Sequence, residues 1–288
     1  MLTNIACLIV HYFNYLVVPV IGDATIPDQW IHLVKDIDVV IEAVGGLSDL
    51  RTRGLSILLA VSRAAETTRP SHAPKVTYIY TSGIWVHGDS RTDVVTDTTP
   101  LNLSIELVEW RSDLEQSVVT NTILNGLVIR PAIVYGRDGG LILGRLFKTA
   151  SEGHVAWPGT PGGRYALVHT DDLADLYVRA AEKSSLVGGK IFDGANNFTE
   201  SVDELLAATV KVSGAKGPYE YIKPTDCALV PSLWNIPAHS FPIVLEKAIG
   251  ATTLARPYLA NALLGWQPSK PGLVEGLPIY YAAWKAAQ

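Results

Sequence analysis

The sequence predicts a doubly wound α/β fold, in which helices cover both faces of a parallel sheet. Three observations carry this prediction: short apolar runs, helix-like stretches between them, and a composition that buries a large core. Of the 288 residues, 48% are hydrophobic and 18% are charged, so the chain has ample apolar surface for one core. Apolar runs that alternate with helices predict the βαβ crossovers that join parallel strands.

Four runs rich in Val and Ile are predicted to be the strands. Turn residues bound each run, and each is continuously apolar rather than alternating, which is typical of strands buried on both faces. We expect Val39, Ile79 and Ile129 to lie side by side on parallel neighbours. The runs are VVPVI at 17–21, DVVIEAV at 38–44, KVTYIYTS at 75–82 and GLVIRPAIVYG at 126–136.

Helices are predicted between these strands, over 47–65, 105–119 and 171–183. The third helix carries one apolar stripe, because apolar residues recur at helical spacing. Ser201 and Glu204 have the spacing of a capping box and predict a further helix start. His169 is expected to fix the turn before the third helix. The stripe consists of Leu173, Leu176, Tyr177, Ala180 and Ala181.

The chain is predicted to form two domains. Residues 1–212 would form the parallel-sheet domain, with an incomplete N-terminal βαβ unit. Frequent prolines then interrupt residues 213–288, which indicates a smaller substrate lobe packed beside the sheet. The net charge is 23 − 28 = −5, which argues against a nucleic-acid partner. Only Cys7 and Cys227 are cysteines, which favours a reducing, cytoplasmic location.

Residues 5–22 contain no charged side chain and are nearly long enough to span a bilayer. However, His11, Asn14 and Pro19 lie within this stretch, and no Lys or Arg precedes it as in a signal peptide. We therefore favour buried strands here over a membrane segment.

Five segments occur in an order and spacing that match one enzyme family. The chain resembles the extended and atypical short-chain dehydrogenase/reductases, which are the NAD-dependent epimerases and dehydratases with a Rossmann-like fold. The segments are IGDAT at 21–25, DVVIEAVGG at 38–46, YTSGIWVHG at 80–88, LVIRPAIVYG at 127–136 and LVHTDDLADLYVRAAEK at 167–183.

The resemblance implies NAD or NADP as cofactor, and hydride transfer to or from a small carbonyl, alcohol or sugar-nucleotide substrate. It also implies that the chain can form a homodimer. Asp23 would meet the adenine ring, and the small residues at 43–45 would let the backbone approach the adenosine. The segment after Pro131 would pass the nicotinamide. The implied cofactor-binding residues are Asp23, Ala43, Val44, Gly45, Thr81, Arg111 and Pro131.

The glycine-rich loop of the family is missing, because no GxxGxxG or GxGxxG lies in residues 1–30. In the family this loop binds the diphosphate at a helix N-terminus, so its loss removes the main phosphate anchor. Only residues 1–16 precede the first predicted strand, too few for a strand, a crossover helix and a second strand. Either IACLIV at 5–10 takes the central position, or the reading frame is shortened at its start.

The catalytic positions of the family also differ. Gly83 occupies the position of the Ser or Thr, Leu107 that of the Tyr, and Arg111 that of the Lys. Leucine cannot transfer the proton that carbonyl reduction needs. Ser82, as a shifted hydroxyl, and Arg111, which can hold a ribose or phosphate, are the candidate catalytic residues.

Several alternatives remain open from the sequence. Tyr80, His87 or Tyr135 could supply the proton instead. Arg111 could simply pair with Glu115 one helical turn away. Three hypotheses therefore remain for the protein as a whole. It is an oxidoreductase or epimerase-like enzyme, a ligand-binding protein without turnover, or a truncated product without activity.

Overall fold

The structure is a computed structural model that describes residues 18, 20–45, 49–102, 104–137, 139–222 and 242–288. Within these residues it contains strands β1 (Val39–Glu42), β2 (Thr77–Thr81), β3 (Val94–Val95), β4 (Asn125–Pro131), β5 (Ile133–Tyr135), β6 (Ala156–Pro158), β7 (Arg164–His169), β8 (Ile191–Gly194), β9 (Thr199–Ser201), β10 (Glu220–Ile222) and β11 (Leu254–Ala255). The α-helices are α1 (Leu50–Thr68), α2 (Arg111–Val119), α3 (Gly140–Ser151), α4 (Thr170–Glu182), α5 (Ser184–Val187), α6 (Val202–Ser213), α7 (Pro242–Gly250) and α8 (Leu277–Ala286).

The main sheet has the strand order β1-β2-β4-β8, and every neighbouring pair is parallel. Ile41 lies opposite Ile79, and Thr81 lies opposite Ile129. The predicted strands at 38–44, 75–82 and 126–136 are therefore parallel neighbours, which confirms the sheet prediction. The register differs by two residues from the predicted one, because Val39 lies opposite Thr77 and Ile79 lies opposite Leu127.

Helices cover both faces of this sheet. On one face, α1 and α2 pack Leu58, Val61 and Leu114 against Tyr78 and Tyr80. On the other face, α4 packs a stripe that includes Leu176 and Ala180 against β2 and β4. The doubly wound α/β fold is therefore confirmed, with β1 at an edge of the described sheet.

Two predicted helix starts are confirmed by their caps. The His169 ring accepts a hydrogen bond from the backbone N–H of Asp171 at 3.0 Å, and Ser201 accepts one from the N–H of Glu204 at 3.3 Å. These bonds satisfy donors that the first turn of a helix leaves free. The capping residues thus fix where α4 and α6 begin.

The predicted helix at 105–119 is interrupted. A 3₁₀ turn at Glu106–Val108 comes first, and α2 begins only at Arg111. The indole N–H of Trp110 donates to the carbonyl of Leu107 at 3.3 Å. The Trp110 side chain therefore donates to a backbone carbonyl that would accept from a backbone N–H in a continuous helix.

The strand predicted at 17–21 is wrong for the residues that are described. Val18 and Ile21 lie outside any strand and are each 85% exposed. Apolar composition predicts burial only when a neighbouring strand provides a partner, and no strand among the described residues pairs with Val18 or Ile21. The apolar stretch at 5–10 lies outside the described residues. No helix in the described part of the chain is long and apolar enough to cross a membrane.

The run at 126–136 forms two strands instead of one. Strand β4 ends at Pro131, and β5 pairs with β7 in a second sheet. Proline has no N–H to continue the hydrogen-bond ladder, so the chain changes sheets at this point.

The later part of the chain packs on this second sheet. Strand β7 also pairs antiparallel with β9, and short pairs join β10 to β6 and β11 to β3. One core cluster brings together Trp157 and Tyr165 with Leu277 and Trp284 of α8. The division into domains at residue 212 stays a prediction.

Candidate functional site

The candidate site lies where β1, β2 and β4 end, because loops leave a parallel sheet together at its carboxyl edge. Thr81 is the last residue of β2, and Pro131 is the last residue of β4. The N–H of Ser82 donates to the carbonyl of Ile129 at 2.8 Å, which ties the two strand ends together. Thr81, Ser82 and Pro131, three of the residues predicted from sequence, are therefore neighbours at this edge.

Arg111 reaches the same edge from the first turn of α2. Its Nη1 donates to the hydroxyl of Tyr80 at 2.9 Å and to the carbonyl of Thr81 at 3.1 Å. Its guanidinium carbon lies 4.8 Å from the centre of the Trp110 ring, which holds the side chain in place. Nε is buried and finds no hydrogen-bond partner in the part of the chain that the structure describes. The guanidinium is therefore fixed at the end of β2 and still has donors to offer.

The pairing of Arg111 with Glu115 does not occur. The Glu115 carboxylate instead accepts two hydrogen bonds from Arg130, from Nε at 3.0 Å and from Nη2 at 2.6 Å. Because Glu115 pairs with Arg130, it does not draw Arg111 away, and the Arg111 guanidinium stays at the carboxyl edge of the sheet.

Glu42, at the end of β1, is a candidate site residue that was not predicted from the sequence. Its side chain is buried, with only 6% of the residue exposed. Oε1 accepts a hydrogen bond from the N–H of Val44 at 3.0 Å, whereas Oε2 is buried and has no hydrogen-bond partner among the described residues. Burial raises the pKa of Glu42, while Arg111 and Arg53 act in the opposite direction. The only signal in the sequence was an acidic residue within an apolar run.

Replacing Glu42 with Gln is expected to raise the free energy of unfolding by about 1–2 kcal/mol at pH 7, because an unpaired buried charge is removed. Since the pKa of Glu42 is raised in the folded state, native stability falls as the pH rises from the unfolded pKa through the folded one. The advantage of the variant should therefore shrink toward zero as the pH falls to about 4. Urea unfolding at both pH values measures this, and a less stable variant at pH 7 would contradict it.

A pair of hydroxyls lies at the end of β2. The hydroxyl oxygens of Thr81 and Tyr177 are 2.6 Å apart, and Tyr177 comes from α4. Burial raises the pKa of Tyr177 to about 12. The sequence predicts Tyr177 in the apolar stripe of this helix, which is correct for its ring. The stripe gives no indication that the Tyr177 hydroxyl contacts Thr81.

The three alternative acids are engaged elsewhere or buried. Tyr80 accepts the hydrogen bond from Arg111, and burial raises its pKa. His87 lies 2.8 Å from the Asp193 carboxylate, and both side chains are almost fully buried. Tyr135 donates to the carbonyl of Pro271 at 2.8 Å. Tyr80 and Asp193 are the next-to-last residues of β2 and β8, so Tyr80 and His87 both lie near the carboxyl edge, and His87 is held there by Asp193.

The residues that the resemblance assigns to the adenosine half of the cofactor lie in the segments just before and just after β1. Ala43 and Gly45 are exposed, and Val44 is half-buried. Arg53 donates to the carbonyl of Gly45 at 3.3 Å, and its charge also acts on Asp23. Hydrogen bonds from Thr25 lower the pKa of Asp23, which sits in a turn before β1.

No protein-family model matches the sequence, and no curated protein matches it. Solved structures do match the fold. A dTDP-glucose 4,6-dehydratase from Bacillus anthracis in complex with NAD has a TM-score of 0.70 at 13% identity, over 92% of this chain and 78% of its own. A UDP-glucuronic acid 4-epimerase from Bacillus cereus, in complex with UDP-glucuronic acid and NAD, has a TM-score of 0.67 at 20% identity, over 90% and 78%. A human epimerase family protein with NADPH has a TM-score of 0.68 at 16% identity, over 88% and 86%.

The chain has the fold of the NAD-dependent epimerases and dehydratases. This confirms the Rossmann-like α/β fold that the resemblance implied. In the epimerase/dehydratase fold, the carboxyl edge described above is the expected position of a ligand.

Open space at this edge is consistent with a bound ligand. A Cβ built on Gly45 or on Gly83 would meet no atom within 4 Å. The backbone of Gly83 is extended, with φ of −177°, so other residues fit there as well. The hydroxyl of Ser82 is buried without a partner in the described structure. The uncrowded backbone of Gly83 and the buried hydroxyl of Ser82 thus lie together at the end of β2.

A cluster of four buried ionic side chains lies beneath the carboxyl edge of the sheet. Arg130 pairs with Glu115 and lies 3.6 Å from the Asp193 carboxylate, and His87 completes the group. All four side chains are almost fully buried, so they hold α2, β4 and β8 together rather than contacting a ligand. In the described residues, no group of three or more His, Cys, Asp or Glu side chains could hold a metal ion.

Proposed function

We propose that the protein binds NAD or NADP across the ends of β1, β2 and β4 and acts as an oxidoreductase or epimerase on a small substrate, with a sugar-nucleotide as the best candidate. The observation that carries this proposal is the position of Arg111. Its guanidinium is fixed at the end of β2, in the place where the resemblance puts a ribose-binding lysine, with unused donors.

The structural neighbours support the same class of ligand. Two of them are solved with NAD, one with NADPH, and one with UDP-glucuronic acid as well. These ligands belong to those proteins, and they guide the choice of compounds to test here.

The residues at the edge fit a dinucleotide by their chemistry. The sequence lacks a glycine-rich loop in residues 1–30, so the diphosphate needs other donors. A guanidinium binds phosphate and ribose oxygens well, because its N–H groups are rigid and charged. The cofactor would supply the site that accepts or returns a hydride. Arg111 would hold a ribose or phosphate, and the Thr81–Tyr177 pair would hold a proton near the reacting carbon.

Calorimetric titration with NAD and NADP tests the binding step directly. Absorbance at 340 nm, with a panel of UDP- and dTDP-sugars, tests net hydride transfer to or from the cofactor. Chromatography of the sugar-nucleotides tests epimerisation, which returns the hydride and leaves no net change at 340 nm. We expect binding of at least one dinucleotide, and either a change in absorbance or a new sugar-nucleotide product with at least one substrate. Failure of both dinucleotides to bind at millimolar concentration would contradict the proposal.

A second candidate is a dinucleotide-binding protein without turnover, which Gly83 and Leu107 favour. The triple variant Gly83→Ser, Leu107→Tyr, Arg111→Lys restores the residues of the family. If the natural chain only binds, the triple variant should gain turnover that the natural chain lacks. Turnover by the natural chain would remove this candidate. The homodimer and the cytoplasmic location stay predictions.

A further inference from the structure

Two hydroxyls at the end of β2 form a hydrogen-bonded pair that has one unused proton. The oxygens of Thr81 and Tyr177 are 2.6 Å apart, so one hydroxyl donates to the other. The hydroxyl that accepts keeps its own proton, which has no acceptor among the described residues. Both residues are half-buried, so the pair is not sealed within the core. The pair can therefore donate a proton to a ligand at this edge.

Tyr177 is the better proton donor of the two residues. A phenol, with a pKa of about 10 in water, loses its proton far more readily than an aliphatic alcohol. When Thr81 donates to the Tyr177 oxygen, the phenol proton is free to leave, and the hydrogen bond from Thr81 stabilises the phenolate that remains. The ring of Tyr177 packs against the buried apolar cluster that contains Ile79 and Ile129, which fixes the position of the hydroxyl.

Hydride chemistry at this edge needs such a donor. When a carbonyl carbon accepts a hydride, the carbonyl oxygen becomes negative and must take up a proton in the same event. Leu107 cannot supply this proton. The other two hydroxyls at the end of β2 belong to Tyr80 and Ser82, which are only 3% and 7% exposed. The Thr81–Tyr177 pair is therefore the proton source that a ligand can reach most easily.

The charges around Tyr177 favour the protonated phenol. Burial raises the pKa of Tyr177 to about 12, the hydrogen bond with Thr81 acts in the opposite direction, and the Glu42 carboxylate raises it further. The guanidinium of Arg111 donates to Tyr80 and to the Thr81 carbonyl instead of to Tyr177. At neutral pH Tyr177 is therefore an acid rather than a base, which favours carbonyl reduction over alcohol oxidation.

We propose that Tyr177 is a catalytic proton donor, supported by Thr81, and that the substrate is a carbonyl compound that the protein reduces. This inference rests on the proposed function. The carbonyl carbon accepts a hydride from the reduced dinucleotide, and the carbonyl oxygen takes the hydroxyl proton of Tyr177. The carbonyl thus becomes an alcohol while the dinucleotide is oxidised. Water then returns a proton to the phenolate through the Thr81 hydroxyl.

The variant Tyr177→Phe tests this role, because it removes the hydroxyl and keeps the ring. With NADH or NADPH and a panel of aldehydes, ketones and keto-sugar nucleotides, we expect kcat to fall by about 100-fold or more. Dinucleotide affinity, measured by calorimetric titration, should stay unchanged. Thr81→Val should lower kcat by roughly tenfold, and Thr81→Ser, which keeps the hydroxyl, should restore it. Tyr258→Phe, at an exposed position, is the matched control and should change neither quantity.

Two pH measurements separate proton donation from a structural role. The first needs no dinucleotide: ultraviolet absorbance of the phenolate is compared between the natural chain and Tyr177→Phe during a titration. We expect Tyr177 to stay protonated up to at least about pH 10. The second is the rate of carbonyl reduction, which should be flat from about pH 6 to 9 in the natural chain. Ionisation of Tyr177 near neutral pH would overturn the inference.

The remaining outcomes distinguish this inference from the proposed function. If Tyr177→Phe reduces carbonyl compounds as fast as the natural chain, the inference alone is wrong. Binding of a dinucleotide without reduction of any carbonyl compound would overturn the inference and leave the binding step of the proposed function standing. Failure of the natural chain to bind either dinucleotide would overturn both.

Discussion

Replacing Arg130 with Met is expected to lower the free energy of unfolding by about 3–5 kcal/mol. Arg130 is 3% exposed and donates two hydrogen bonds to Glu115, whose side chain is fully buried. Its Nη1 also lies 3.6 Å from the buried carboxylate of Asp193. Methionine fills much of the volume but leaves the buried Glu115 carboxylate without its partner, and it leaves Asp193 with His87 alone. Breaking such a pair costs more than the pair itself contributes.

Urea unfolding of the purified variant measures this cost. The double variant Arg130→Met, Glu115→Leu removes the charge that would be left behind, so it should be more stable than the single variant. Arg63→Met, at an exposed position of α1, is the control and should change stability by less than about 0.5 kcal/mol. A loss below about 1 kcal/mol for Arg130→Met would show that the buried cluster does not hold the sheet and α2 together.

Replacing Arg111 with Ala is expected to weaken dinucleotide binding by roughly 10- to 100-fold, the value of one or two charge-assisted hydrogen bonds. The guanidinium already lies at the end of β2, bonded to Tyr80 and Thr81, with Nε unpartnered. Binding therefore requires little rearrangement of this side chain. Calorimetric titration with NAD and NADP measures the change in affinity.

Two further variants separate binding from folding. Arg111→Lys keeps the charge but loses the planar fork of the guanidinium. Its affinity for the dinucleotide should therefore lie between the affinities of the natural chain and of Arg111→Ala. Arg63→Ala removes an exposed arginine of the same chain and should leave affinity unchanged. If Arg111→Ala melts normally and binds as tightly as the natural chain, Arg111 does not hold the dinucleotide.

Much of the scaffold could be predicted from sequence because its signals are local. Continuous apolar runs identified the strands around Val39, Ile79 and Ile129, and polar residues identified the caps at His169 and Ser201. Burial on both faces and unsatisfied N–H groups at helix starts are general requirements, so they leave marks in the sequence.

The predictions from sequence failed where contacts between distant parts of the chain determine the local structure. The run at 126–136 reads as one strand, yet Pro131 divides it between two sheets. Val18 is apolar but exposed, because composition does not show which strand lies beside it. The contact between Thr81 and Tyr177 joins residues 96 positions apart, and Glu42 became a candidate only once its unpartnered oxygen was located.

The central claim is that a nicotinamide dinucleotide binds at the carboxyl edge of β1, β2 and β4. Hydrogen–deuterium exchange with and without saturating NAD tests it most directly. We predict slower exchange in peptides that contain residues 42–45, 81–83 and 110–112, and little change in α6 and α8. Unchanged exchange at that edge, or protection confined to other parts of the chain, would contradict the account.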